Sequence, residues 1–223
     1  MDARRTSQIL RLAYLLIGLA VILGCAIAVG ELLRLVERPN GATGVDASIT
    51  SWAVAHRTSA LTTLARVLSR LGSQVVLTPV ALAAALVLVV RRRFVQAGAL
   101  VAAWGGAILL YTWTKHAVDR MRPPMDIWLT DVGRSSSFPS GHATQSLATF
   151  LALALVCGAW FPRVRWPARI AALVLAAGVG WSRVYLGVHW ATDVGAGWLI
   201  GGVWVAFVVW LAGREGASPD ARA

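Results

Sequence analysis

Negative charge is scarce in this chain. Ten Asp and Glu stand against twenty-one Lys and Arg in 223 residues, and all charged residues together make up only 14% of the sequence. Soluble domains carry roughly a quarter. With 57% hydrophobic residues and a mean hydropathy of +0.66, that shortage excludes an ordinary water-soluble globule and implies an integral membrane protein. The few carboxylates are also too scattered to cage a hard cation. Asp119, Asp126 and Asp131 share one loop, but oxygen-ligand sites need more convergent carboxylates, so neither a metal nor a cofactor is expected. Cysteine is nearly missing as well. Cys25 and Cys157 both lie inside apolar runs, where a free thiol behaves as a small hydrophobe, which excludes a disulfide framework and a thiolate metal site. Ile22-Leu23-Gly24-Cys25 is a poor lipoprotein cleavage box because of Leu23, and an uncleaved first span is expected. The net charge of +11 forms no single basic stripe, so nucleic acid is not an expected partner. Arginines scattered between apolar runs set topology and meet anionic lipid head groups.

What is abundant falls into six apolar runs. The first, about Leu12 to Gly30, follows Arg4, Arg5 and Arg11 and exceeds the apolar core of a signal peptide. It reads as a span with a cytoplasmic amino terminus. The others cover about Val75 to Val90, Val95 to Thr114, Ala143 to Trp160, Ile170 to Leu186 and Val194 to Leu211. At about 20 residues per span, six helices and short loops use up most of the chain. The expected fold is an all-α, six-transmembrane-helix bundle, one integral membrane domain over residues 1–223. Its short tails, 1–11 and 213–223, are expected in the cytoplasm.

Between the first two spans lies a turn at Pro39-Asn40-Gly41, then Leu61, Leu64, Val67, Leu68 and Leu71 at helical spacing, with Ser59 as a cap and Gly72 as a stop. Arg57, Arg66 and Arg70 interrupt those leucines, so the segment reads as an interfacial helix or as a surface helix packed on the bundle. Trp160, Trp166, Trp190 and Trp210 sit near span ends, where an aromatic belt would put them. Gly197-x3-Gly201 either permits close helix contact or is merely tolerated.

Loops carrying Arg91 to Arg93 and Arg163 to Arg169 share a side with the amino terminus, which the positive-inside tendency makes cytoplasmic. Three polar segments fall on the other side: Lys115-x6-Arg122-Pro123, Pro139-Ser140-Gly141-His142 and Ser182-Arg183-x5-His189-x3-Asp193. Ionisable groups near the bilayer are costly and read as functional by default. Residues far apart in sequence can therefore meet over one end of the bundle.

Their chemistry suits phosphoryl transfer. Arg183, Arg122 and Lys115 supply three cations for the equatorial oxygens of a phosphoryl group, a role that magnesium plays elsewhere. Asp193, four residues after His189, can accept the imidazole Nδ1 proton and leave Nε2 as a nucleophile, although such a pair alone also serves as a structural hydrogen bond. Pro139 and Ser140 read as a helix start with Ser140 as cap, and Gly141 lets backbone N–H groups approach an anion; alone, the same residues are only a turn. His142 is then placed to protonate a leaving group and later to activate water. His56 and His116 fall outside the pattern.

In these residues the chain resembles the type 2 phosphatidic acid phosphatase superfamily, membrane lipid phosphate phosphatases whose site is shared with vanadium haloperoxidases. The motifs anchor about residues 95 to 212. The resemblance implies nucleophile His189 oriented by Asp193, acid and base His142, phosphate ligands Lys115, Arg122 and Arg183 with Ser140 and Gly141 in support, and independence of metals. It further implies a lipid phosphate or diphosphate substrate, namely polyprenyl diphosphate, phosphatidic acid or phosphatidylglycerol phosphate, hydrolysed by water at the outer face of the plasma membrane. Alternatives are a head-group phosphotransferase using the same histidine and a non-catalytic anionic-lipid carrier or flippase. Substrate choice is expected to rest on the side entrance between spans and on residues 31–72.

Overall fold

A computed structural model describes residues 3–36, 42–133 and 135–213. Within them every regular element is helical: α1 (Ala3–Val36), α2 (Gly44–Ala55), α3 (Ser59–Leu71), α4 (Gln74–Val90), α5 (Phe94–Ala117), α6 (Gly141–Trp160), α7 (Arg165–Tyr185) and α8 (Ala191–Gly213). Single 3-10 turns occupy Met125–Ile127 and Pro162–Val164. The turn expected at Pro39-Asn40-Gly41 and the tail from 214 onward lie outside the described residues.

Among the described residues four helices are long and apolar enough to cross a membrane, over Leu12–Arg34, Phe94–Ala117, Gly141–Trp160 and Ala191–Gly213. A fifth arises if α3 and α4, bent by 43°, form one broken span. The runs expected as spans two and five are both helical, but α4 has only 17 residues and α7 carries Arg165, Arg169 and Arg183. By length and composition alone these two fall short of the six-span expectation.

Local chemistry explains the boundaries. Thr43 and Asp46 form a reciprocal capping box at α2, a helix the sequence reading did not foresee. Thr58, not Ser59, caps α3 by accepting from the Leu61 N–H, while Gly72 ends it as expected. Ser140 caps α6 through the Ala143 N–H at 3.4 Å. α3 buries Ala65 and Ser69 and packs on α7, leaving Leu61, Leu64, Val67 and Leu71 turned outward. Of the proposed belt residues Trp190 is a correction: it is buried, and its indole donates to the Met121 carbonyl at 2.9 Å, so it packs within the protein.

In lipid, apolar side chains gain little by leaving the solvent, and close approach of backbones holds helices together. The central helix α6 packs against α5, α7 and α8 with Ala143, Ala148, Ala152 and Ala154 buried. Gly197 and Gly201 on α8 face it. A Cβ at Gly201 would stand 2.5 Å from the Thr144 carbonyl oxygen, and one at Gly197 would stand 2.8 Å from that of Ser140. The Gly-x3-Gly spacing thus serves close contact, and it brings the start of α8 to the start of α6. The Ser140 N–H completes this junction by donating to the Asp193 carbonyl at 3.1 Å.

Candidate active site

Four helix ends converge at one pole of the bundle: α5 stops just after Lys115, α7 just after Arg183, while α6 begins one residue before His142 and α8 two before Asp193. Lys115, Arg122, Gly141, His142, Arg183 and His189 line one cavity of about 470 Å³. Both imidazoles and all three expected cations therefore face a common space. Ser140 and Asp193 are fully buried behind it, the former as the cap of α6. His56 stacks on Trp52 and contacts its carbonyl, and it lies outside the cavity, as does His116.

Arg122 is held in place mainly by carbonyls. It donates to Ser135 O at 2.8 Å, Val188 O at 2.6 Å and Ser136 O at 3.2 Å, and its NH1 lies 3.2 Å from Nε2 of His189. A guanidinium only donates, so Nε2 is the acceptor there and the ring proton belongs on Nδ1. Lys115 Nζ reaches Ser136 O at 2.5 Å. Arg183 donates to the Ser69 hydroxyl of α3, and its Nε has no partner among the described residues despite being buried. Gln145, one turn after His142, is buried, lines the same cavity and leaves Nε2 unpaired among the described residues. Its contribution had no motif to announce it. Such donors are the inventory that an anion's oxygens need.

Asp193 answers to more partners than its spacing from His189 suggests. Oδ2 lies 3.5 Å from His189 Nδ1, which is buried and makes no hydrogen bond among the described residues, and it accepts from Ser137 Oγ at 2.5 Å and from the Trp190 N–H at 2.9 Å. Oδ1 accepts from Arg120 at 2.6 Å. Arg120, wholly buried, also binds Asp46 at 2.8 Å and Thr192 Oγ1 at 2.8 Å. Asp46 in turn accepts the Thr192 N–H at 2.9 Å, fastening α2 to the start of α8. Sequence reasoning missed both Arg120 and Asp46. Asp193 and Asp46 hold the Arg120 guanidinium charged: burial pulls its pKa down, but their carboxylates outweigh that and raise it. His189 precedes α8 on a turn at Gly187, whose φ is +76° and where a Cβ would stand 2.5 Å from Ile127 O, so no side chain fits.

Burial, followed by Lys115, Arg122 and Arg183, pushes the His189 imidazole well below its ordinary range. The ring is thus held neutral, the form that can attack. Burial also lowers the Arg122 guanidinium, with Asp193 pulling the other way. Among the described residues no group of three His, Cys, Asp or Glu is placed to hold a metal ion.

The PAP2 superfamily model matches residues 96–217. An undecaprenyl-diphosphatase of Sulfolobus acidocaldarius is 34% identical over 146 residues, 63% of this chain and 65% of that protein. A lipid A 1-phosphatase of Rhizobium johnstonii is 35% identical over 130 residues, 51% and 50% of the two chains. The chain thus spans about half to two thirds of these relatives' length. A crystal structure of a transmembrane PAP2-type phosphatidylglycerolphosphate phosphatase from Bacillus subtilis superposes with a TM-score of 0.75 at 26% identity, over 88% of this chain and 98% of that one.

Proposed function

This chain belongs to the PAP2 superfamily, and from that membership we propose that it is a metal-independent phosphatase of membrane lipid phosphates or diphosphates. One observation carries the reading: two imidazoles and three cations line a single cavity at the end of a largely apolar helix bundle. A carrier needs the cations but gives two facing imidazoles and a buried carboxylate no task. Relatives named for undecaprenyl diphosphate, lipid A phosphate and phosphatidylglycerol phosphate support the substrate class.

In this mechanism Lys115, Arg122 and Arg183 hold the oxygens of the terminal phosphoryl group. Gly141, at the start of α6, lets backbone N–H groups assist from behind the Ser140 cap. The Nε2 lone pair of neutral His189, released from the Arg122 N–H as that guanidinium turns to the phosphoryl oxygens, attacks phosphorus, and the phosphorus–oxygen ester bond breaks. Protonated His142 gives its proton to the departing oxygen, and a phosphorus–nitrogen bond joins phosphate to His189. Asp193 stabilises the positive charge on that imidazole. Water then attacks the phosphohistidine, neutral His142 takes the water's proton, and inorganic phosphate leaves.

The reading includes six spans, both termini in the cytoplasm and the site at the outer face of the plasma membrane. Arg91 to Arg93 and Arg163 to Arg165 lie at the bundle end opposite the cavity, as the positive-inside tendency asks. The test is phosphate release by the purified chain in detergent from a panel of lipid phosphates and diphosphates, with chelator present. Activity that survives chelation and disappears in His189→Ala is expected. Loss on chelation overturns metal independence, and an active His189→Ala variant overturns the nucleophile. Release without added alcohol separates the hydrolase from a phosphotransferase.

A further inference from the structure

The cavity does not end at the three expected cations. Its wall continues along α3, where Arg66, Ser69 and Arg70, spaced three and four apart from Arg66, share one helical face, and on to Ser73 at the start of α4. Ser69 fastens that face to the site by accepting from Arg183. Arg66 and Arg70 are therefore carried beside the phosphate-binding cations, although nothing in the three motifs includes them. Arg66 is lightly tethered, donating to Leu129 O at 3.4 Å, and no side-chain partner holds Arg70 among the described residues. Guanidinium forks so lightly held on a cavity wall are suited to bidentate capture of phosphate.

Charge balance points the same way. Five cations, Arg66, Arg70, Lys115, Arg122 and Arg183, line the cavity against one carboxylate, Asp131. A phosphomonoester brings about two negative charges, which the three cations of the motifs already exceed. Two further arginines are surplus for such a substrate but not for a lipid whose head carries a second phosphate. Placement agrees, because α3 also turns Leu64 and Val67 outward, toward where lipid tails would lie. A second phosphate in a lipid head sits between the scissile group and the tail. It would pass along α3.

We infer that Arg66 and Arg70 form a second phosphate subsite, which selects lipids carrying another phosphate next to the one removed. This assignment rests on the phosphatase reading above. The second phosphate belongs to a diphosphate, where it is bonded directly, or to a phosphatidylglycerol phosphate, where glycerol intervenes.

The test compares the wild-type chain with an Arg66→Ala, Arg70→Ala double variant on a polyprenyl diphosphate, the matching monophosphate and phosphatidylglycerol phosphate. A KM raised at least tenfold for the diphosphate, with the monophosphate's KM within twofold, is expected. A parallel rise for phosphatidylglycerol phosphate extends the subsite to the glycerol-spaced group; its absence confines the subsite to the diphosphate. An equal loss on mono- and diphosphate, or no change on any substrate carrying two phosphates, overturns the assignment. Binding of a non-hydrolysable bisphosphonate lipid and its monophosphonate counterpart to His189→Ala, with and without the two arginines, repeats the comparison independently of turnover. Arg66→Lys with Arg70→Lys, which keeps both charges, controls for folding and should restore most of the discrimination. A wild-type chain inactive on every lipid phosphate would sink the phosphatase reading alone, since the bisphosphonate arm still reports on the subsite.

Discussion

The two sides of the His189 ring are built on opposite lines. Toward the cavity, donors are left wanting: Arg183 Nε and Gln145 Nε2 have no partner among the described residues. Behind the ring, Asp193, Arg120, Asp46, Thr192 and Ser137 bind one another at 2.5 to 2.9 Å without exposure at either charged pair, and His189 Nδ1 faces them 3.5 Å from Asp193 without a hydrogen bond of its own. An unpaired buried donor costs roughly 1–3 kcal/mol, so open positions belong where a ligand's oxygens will come. A saturated network has no capacity left for substrate and serves to hold geometry. Arg122 stands between the two, with carbonyls fixing its direction and Nε2 of His189 at its tip.

Substitutions separate the two sides, and the largest effect falls on the ring between them. His189→Ala should lower kcat by about a thousandfold or more, read as phosphate release, with the fold intact by circular dichroism. Next comes the rear. Arg120→Met leaves Asp46 and Asp193 unpaired and should lower stability by about 3–5 kcal/mol, measured by chemical denaturation in detergent. At temperatures where this variant stays folded, kcat should fall while KM holds, since Arg120 meets no substrate. A KM change instead would erase the distinction. At the front, Arg183→Lys keeps the charge but loses the fork; a loss of roughly 1.5–3 kcal/mol, about ten- to a hundredfold in kcat/KM, is expected with little change in stability. If Arg183→Lys unfolds the protein, the front is structural too.

The smallest effect is a displacement of pH dependence. His189 has its pKa depressed below the ordinary 6.5, so the native ring resists the proton that the unfolded chain accepts. Its stability contribution is present above about 6.5 and is lost as pH falls from there through the native value. The acid limb of kcat/KM that belongs to His189 should likewise lie below 6.5 and move upward when Arg122 is replaced by Gln, which removes a neighbouring positive charge. A limb at 6.5 in both proteins would contradict the electrostatic account of the front.

Helix positions and the cavity residues were legible because each leaves a local trace. Apolar runs mark α1, α5, α6 and α8, and Lys115, Arg122, His142, Arg183, His189 and Asp193 are conspicuous as ionisable residues at span ends. What escaped depends on distant contacts. Asp46 meets Thr192 across 146 positions, and Arg120 looks like any other loop arginine until its carboxylates are known. Trp190 had the position of a membrane-belt residue and the environment of a core one, a distinction only the Met121 contact reveals. α7 blurred the span pattern because one of its arginines, Arg183, serves the cavity.

The seam between α6 and α8, where Gly201 meets Thr144 and the Ser140 N–H meets the Asp193 carbonyl, has a consequence for biosynthesis. On the proposed mechanism, a nascent chain halted before Ala191 would carry every basic residue of the nest yet lack Asp193, the acid assigned to steady the attacking imidazole. Hydrolysis by that route could begin only once the final helix has been made.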